Sequence, residues 1–216
     1  MTWEMSSLIL VAYFTGYAVV HSWLASTAVK DWVSARFGPL ARRGYRLAYN
    51  LFAIISLLPM LALLAWLPDV TLYIVSSPWR WLMVGGQLLA LLAAGWSLWQ
   101  TGPFYFIGLR QLIANEPSLS GSLQVDGFYR WVRHPLYSFS LIFLWLTPVM
   151  TANILTTWLL FTLYFYIGSI YEERRLVGEF GAAYERYRQQ TPRFIPRPSP
   201  KYQKRMIGSE DAGLGQ

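Results

Sequence analysis

Five stretches of this chain are, or nearly are, long and apolar enough to need lipid around them. That requirement limits the fold more than any motif does. The stretches run over about residues 6–25, 46–66, 79–101, 135–150 and 154–171. A helix needs about 20 mostly apolar residues to cross a bilayer core of about 30 Å. The first three windows meet this length, with Pro59 expected to kink the second. The fourth, residues 135–150, makes only about 24 Å of helix at about 1.5 Å per residue. Little more than Thr151-Ala152-Asn153 separates it from the fifth. These last two windows predict a tight helical hairpin that relies on its neighbours. The expected fold is therefore all-α: a polytopic membrane helix bundle with five transmembrane helices, the last two forming a C-terminal helical hairpin.

Composition agrees. The 216 residues are 55% hydrophobic and 13% charged, against about 25% charged in soluble domains. With no Cys, disulfides, thiolate nucleophiles and Cys-ligated zinc are excluded, and with two His a three-histidine zinc site is excluded too. The net charge of +7 does not imply a nucleic-acid partner, because the basic residues sit in loops where topology explains them. Lys30, Arg36, Arg42, Arg43 and Arg46 crowd the first loop, Arg110, Arg130 and Arg133 the third, and Arg174 onward the C-terminal part. The second loop has only Arg80 and the hairpin turn has no basic residue. This alternation predicts an outside N-terminus and a cytoplasmic C-terminus. The first stretch lacks a basic leader and reads as a retained helix, not a signal peptide.

Residues 1–200 read as a single integral-membrane domain, with residues 1–101 giving three helices and 102–200 a ligand-binding half. Over 172–190, Leu176, Phe180, Ala183, Tyr184 and Tyr187 recur at helical steps, which predicts a cytoplasmic amphipathic helix. Residues 201–216, rich in Gly and charge, read as a disordered tail.

Polar chemistry gathers at one mouth of the predicted hairpin. The run "GFYRWVRHPLY" at 127–137 sets Arg133 and His134 before Pro135, and Pro suits a first helical position. Free N–H groups and the positive helix end there favour an anion. Tyr129, Trp131 and Tyr137 add aromatic faces that can hold an adenine or a cation. The fifth span returns to the same side and ends in Glu172-Glu173. Adjacent carboxylates there are costly unless paired or solvated; they either pair with Arg133, Arg174 or Arg175, or bind the ammonium or hydroxyls of a ligand. Opposed Arg/His and Glu/Glu groups suit a zwitterion such as S-adenosylmethionine. His21, near the inner end of the first span, is a functional candidate by its location. A helix–helix hydrogen bond to Ser22, Arg46 or Tyr49 is the competing role, with substrate contact second.

The pieces "GFYRWVRHPLY", Glu172-Glu173 and "FGAAYERYRQQTPRFIP" together resemble the C-terminal signature of isoprenylcysteine carboxyl methyltransferase-type membrane enzymes. "HSWLAS" at 21–26, "YRLAYNL" at 45–51, "FIGLRQL" at 106–112 and "LWLTPVMT" at 144–151 are similar to its bacterial methanethiol S-methyltransferase and NnrU-like branch. The resemblance implies S-adenosylmethionine as cofactor and a lipophilic small-molecule acceptor reached through the lipid bilayer of a bacterial inner membrane. It implies a cofactor pocket lined by Gly127, Phe128, Tyr129, His134, Leu136, Tyr137, Glu172 and Glu173. Two residues depart from the pattern: Phe128 stands where Pro is common, and Phe139 where Gly is common.

Methyl transfer asks mainly for alignment and an ionised nucleophile. Arg133 or Arg110 could favour a thiolate, and Gln111 and His21 are candidate substrate contacts; no dedicated base stands out. The expected acceptor is a small apolar thiol. Isoprenylcysteine and phospholipid acceptors remain open, as do an NADPH-dependent sterol-type reductase and a non-enzymatic NnrU-like assembly protein.

Overall fold

The computed structural model of the protein describes residues 1–114 and 123–196; the expected tail at 201–216 lies outside them. The chain is mostly helical. Helices α1 (Trp3–Ala25), α2 (Thr27–Trp66), α3 (Trp79–Gln100) and α7 (Ala152–Phe180) are long and apolar enough to cross a membrane. The outer faces of these helices are greasy: Leu89 is 68% and Leu92 70% exposed, which is stable only against lipid. Inside, α1 buries Ser6, Leu10 and Phe14, and Leu10 and Phe14 pack with Met60 of α2. Trp3, Trp23, Trp66, Trp79 and Trp81 are all exposed near helix ends, where tryptophan anchors a helix at a membrane interface.

The structure redraws three expectations. Helix α2 starts at Thr27, well before residue 46, and runs through Pro59; its backbone leaves helical geometry at Gly38, whose φ of 80° suits glycine. Four, not five, helices reach spanning length among the described residues, because α6 (Pro135–Trp145) has only 11 residues. The helix stops ahead of Pro148, since the residue before a proline resists helical geometry. Finally, the amphipathic segment at 172–190 is no separate surface helix. Helix α7 continues to Phe180, Gly181 turns at φ 53°, and α8 (Ala182–Gln190) follows. The expected apolar face nonetheless forms: Leu176, Phe180, Tyr184 and Tyr187 pack together with Val125.

A small sheet, absent from the all-α expectation, joins the far ends. Strand β1 (Thr71–Ile74) pairs antiparallel with β2 (Val149–Thr151), Tyr73 opposite Met150. Asp69 Oδ1 accepts N–H groups from Val70 at 2.8 Å and Asn153 at 3.0 Å, and the Asn153 amide donates to the Pro68 carbonyl at 3.1 Å. The geometry closes. From Ala152 to Glu172, α7 rises about 30 Å, whereas α6 rises only about 16 Å; the turn after α6 and strand β2, residues 146–151, make up the difference.

Helix α6 packs chiefly on α3, not as a close hairpin with α7. The buried positions of α3, Ala90, Ala94 and Ser97, are small, which allows close helix approach in a membrane. Short helices α4 (Pro103–Ile107) and α5 (Leu109–Ala114) fold back on α2, where Asn50 donates to the Phe106 and Ile107 carbonyls at 3.0 and 2.9 Å.

Asn153 is fully buried and ties α7 to the β1 turn. Asn153→Ala should therefore lower stability by about 1–3 kcal/mol, read as a lower melting temperature in detergent, with ligand affinity at the opposite end unchanged.

Candidate functional site

Pro135 opens α6 and His134 caps it. The two residues before it pair strand-like with the C-terminal segment: Arg133 N–H donates to the Pro192 carbonyl at 2.9 Å and His134 N–H to that of Arg193 at 3.2 Å. Ser138 Oγ lies 3.0 Å from the His134 carbonyl oxygen and 2.8 Å from that of Phe194. The head of α6 is thus sewn to residues 192–194.

Glu173, from the last turns of α7, sits at the centre. Its Oε1 accepts from Arg133 Nε at 2.9 Å, Arg193 Nε at 3.0 Å and His134 Nε2 at 3.1 Å, and its Oε2 from Arg193 Nη2 at 2.9 Å. The Glu173 and His134 side chains are each only 4% exposed. Arg133 Nη1 is also spent, on the Arg188 and Thr191 carbonyls. Glu172 Oε2 faces the other imidazole nitrogen, Nδ1, at 3.5 Å, and its side chain is 36% exposed. A carboxylate therefore flanks each nitrogen of His134. Burial disfavours its imidazolium, but the hydrogen bonds and charges of Glu172 and Glu173 outweigh burial and raise its pKa above the ordinary 6.5.

Aromatic rings cover this cluster. Tyr137 stacks on His134 at 5.4 Å and on Phe165 at 5.1 Å, both within 7° of parallel. The turn Gly127–Arg130 lies between α3 and α8. Phe128 N–H donates to Gln100 Oε1 at 3.4 Å, and the Tyr187 hydroxyl donates to the Tyr129 carbonyl at 2.7 Å. Gly127 has φ 64°, a left-handed conformation that favours glycine, and a Cβ there would stand 1.7 Å from Gln100 Nε2 and displace that side chain. The two departures from the family pattern meet: the Phe128 and Phe139 rings are edge to face at 4.8 Å.

Of the expected site residues, Gly127, Phe128, Tyr129, Arg133, His134, Leu136, Tyr137, Glu172 and Glu173 fall on the 127–130 turn, the head of α6 and the end of α7. Arg133 and Glu173 are joined to each other there. Arg110 and Gln111 lie on α5, which packs against α2. His21 is elsewhere too, bonded to Tyr49 between α1 and α2 at 2.5 Å. Sequence reasoning missed Arg193 and Gln100. Arg193 was within the quoted "TPRFIP", but its pairing with Glu173 needed the fold.

Comparison with known proteins places the chain in a family. Residues 45–191 match the family described as Protein of unknown function (DUF1295). Methanethiol S-methyltransferase 2 of Bradyrhizobium diazoefficiens is 36% identical over 88% of this chain and 72% of its own length. Methanethiol S-methyltransferase of a Pseudomonas species is 32% identical over 91% of this chain and 76% of its own. Protein-S-isoprenylcysteine O-methyltransferase of Schizosaccharomyces pombe is 36% identical over 39% of this chain and 37% of its own length. No solved structure matches. The chain belongs to the isoprenylcysteine methyltransferase-type superfamily of membrane methyltransferases, on its methanethiol S-methyltransferase branch.

Two outcomes follow from the cluster. Removing one partner of a buried ion pair costs about 3–5 kcal/mol, so Glu173→Gln should lower the melting temperature far more than Glu172→Gln. Because folding raises the His134 pKa, its stabilisation is complete below about 6.5 and is lost as pH rises through the higher folded value. Melting temperature measured in detergent should fall over that window, and His134→Gln should flatten the fall.

Proposed function

We propose that the protein transfers a methyl group from S-adenosylmethionine to a small apolar thiol at the mouth formed by α6 and α7. The observation that carries this reading is His134 held between Glu172 and Glu173 beneath a parallel aromatic stack, in a chain whose relatives, matched over most of its length, bear the thiol methyltransferase name. When bound, the cofactor supplies an electrophilic methyl on a sulfonium. The residues fit it: Glu172 keeps carboxylate surface for an ammonium or diol, the N–H groups of the first turn of α6 favour a carboxylate, and His134 and the stacked Tyr137 set the position of Glu172 and the pocket floor. Gly127, Phe128, Tyr129 and Leu136 complete the wall. Glu173 acts from behind as a positioning residue, holding Arg133, His134 and Arg193. Arg110 and Gln111 are assigned to the acceptor side, together with His21.

The topology we propose has five crossings, α6 and the extended β2 segment together making the fourth. Backbone at that depth is tolerable because β2 is paired with β1. The N-terminus is outside, the C-terminus cytoplasmic, and the host bilayer a bacterial inner membrane. An apolar thiol then arrives through lipid and the cofactor from the cytoplasm. The shorter likeness to an isoprenylcysteine O-methyltransferase makes a carboxylate acceptor the second reading.

The test is a panel on purified protein in detergent. Labelled S-adenosylmethionine should bind and NADPH should not, and methanethiol should be methylated in preference to a prenylcysteine analogue or phosphatidylethanolamine. His134→Ala should weaken cofactor binding about 10- to 100-fold, because the charged contact that positions Glu172 is lost. Binding of NADPH alone would favour a reductase, and binding of neither a non-enzymatic role.

A further inference from the structure

A second polar cluster lies within the apolar helices. His21 of α1 sets Nε2 2.5 Å from the Tyr49 hydroxyl of α2. Its ring stacks on Tyr17 at 5.3 Å and stands edge-on to Tyr164 of α7 at 6.1 Å. His21 Nδ1 is buried with no hydrogen-bond partner among the described residues. A purely structural link between α1 and α2 would use one ring nitrogen. The second is left facing apolar surroundings, where polar atoms are normally paired.

Location ties this nitrogen to the site. Tyr164 is within electrostatic range of Tyr137, and its neighbour Phe165 stacks on Tyr137, which stacks on His134. Tyr164 precedes Glu172 by two helical turns, about 12 Å. His21, packed against Tyr164, therefore lies nearer the middle of α7 than the Glu172–Glu173 pair.

We propose that His21 Nδ1 is the base that receives the proton of the acceptor thiol, an assignment that rests on the thiol-methylating reading above. A buried N–H without an acceptor is costlier than an unpaired lone pair. The favoured tautomer thus has Nε2–H donating to the Tyr49 oxygen and a free lone pair on Nδ1. The S–H bond breaks, its electron pair stays on sulfur, and the Nδ1 lone pair forms the new N–H bond. The resulting thiolate is the nucleophile that the methyl transfer requires. Tyr17, Tyr49 and Tyr164, all neutral, are the titratable groups facing the ring.

The chain has two histidines, so imidazole-¹⁵N labelling gives a spectrum that His134→Gln assigns. Without cofactor, methanethiol should shift the His21 Nδ1 resonance, and dimethyl sulfide, which has no S–H, should not. In turnover, His21→Gln should cut kcat/KM for methanethiol by about 10²-fold or more. Thiophenol, already ionised at neutral pH, should be methylated at near the wild-type rate. Equal losses on both thiols, no loss on either, or a resonance indifferent to S–H would overturn the assignment. Should His21→Gln fail to insert, Tyr49→Phe serves in the same comparison: a loss confined to methanethiol supports the role and an equal loss on both thiols overturns it. A wild-type protein that methylates a carboxylate or amine but neither thiol would remove the underlying reading. A His21→Gln variant equal to a thiol-active wild type would remove only this one.

Discussion

The carboxylate of Glu173 is the point where three separate parts of the chain are forced together. Arg133 and His134 come from the head of α6, Arg193 from the segment after α8, and Glu173 itself from the last turns of α7. None of these charges would be stable alone at such low exposure, and each is stable because the others are present. The same contacts decide where the aromatic stack of His134, Tyr137 and Phe165 stands and hold the partly exposed Glu172 beside it. A carboxylate that looks like a ligand contact is better understood as the post on which the contacts are mounted.

The opposite end obeys a different constraint. Helix α6 is too short to match the rise of α7, and the shortfall is made up with extended chain. Unpaired backbone would be intolerable next to lipid, so β1 supplies the missing partners and Asp69 caps the arrangement. The sheet and the Glu173 cluster thus fasten α6 and α7 at both ends, leaving the middle of the bundle to weak apolar packing and small residues. The ends hold the charged groups and the centre is left apolar.

The contact between Phe128 and Phe139 carries a similar lesson about local substitutions. Each departs from the superfamily pattern by adding bulk, and the two rings occupy one another's space. A Pro and a Gly at those positions would leave a gap on the turn that borders the cluster. The change is coherent as a pair and obscure residue by residue.

Apolar length and the placement of Lys and Arg were enough to read a membrane bundle, because lipid imposes its thickness on any chain that crosses it. The His-Pro and Glu-Glu pairs marked residues that the fold brings into one cluster, because charged groups at the end of a greasy helix need partners. Sequence could not tell that Glu173 faces inward and Glu172 outward. Neighbours on a helix differ by about 100° of rotation, and packing alone chooses the direction of each. Nor could it foresee Arg193 beside Glu173, the β1–β2 pairing, or a free nitrogen on His21. Each of these depends on contacts between residues distant in the chain, which only the folded arrangement brings within a few ångströms.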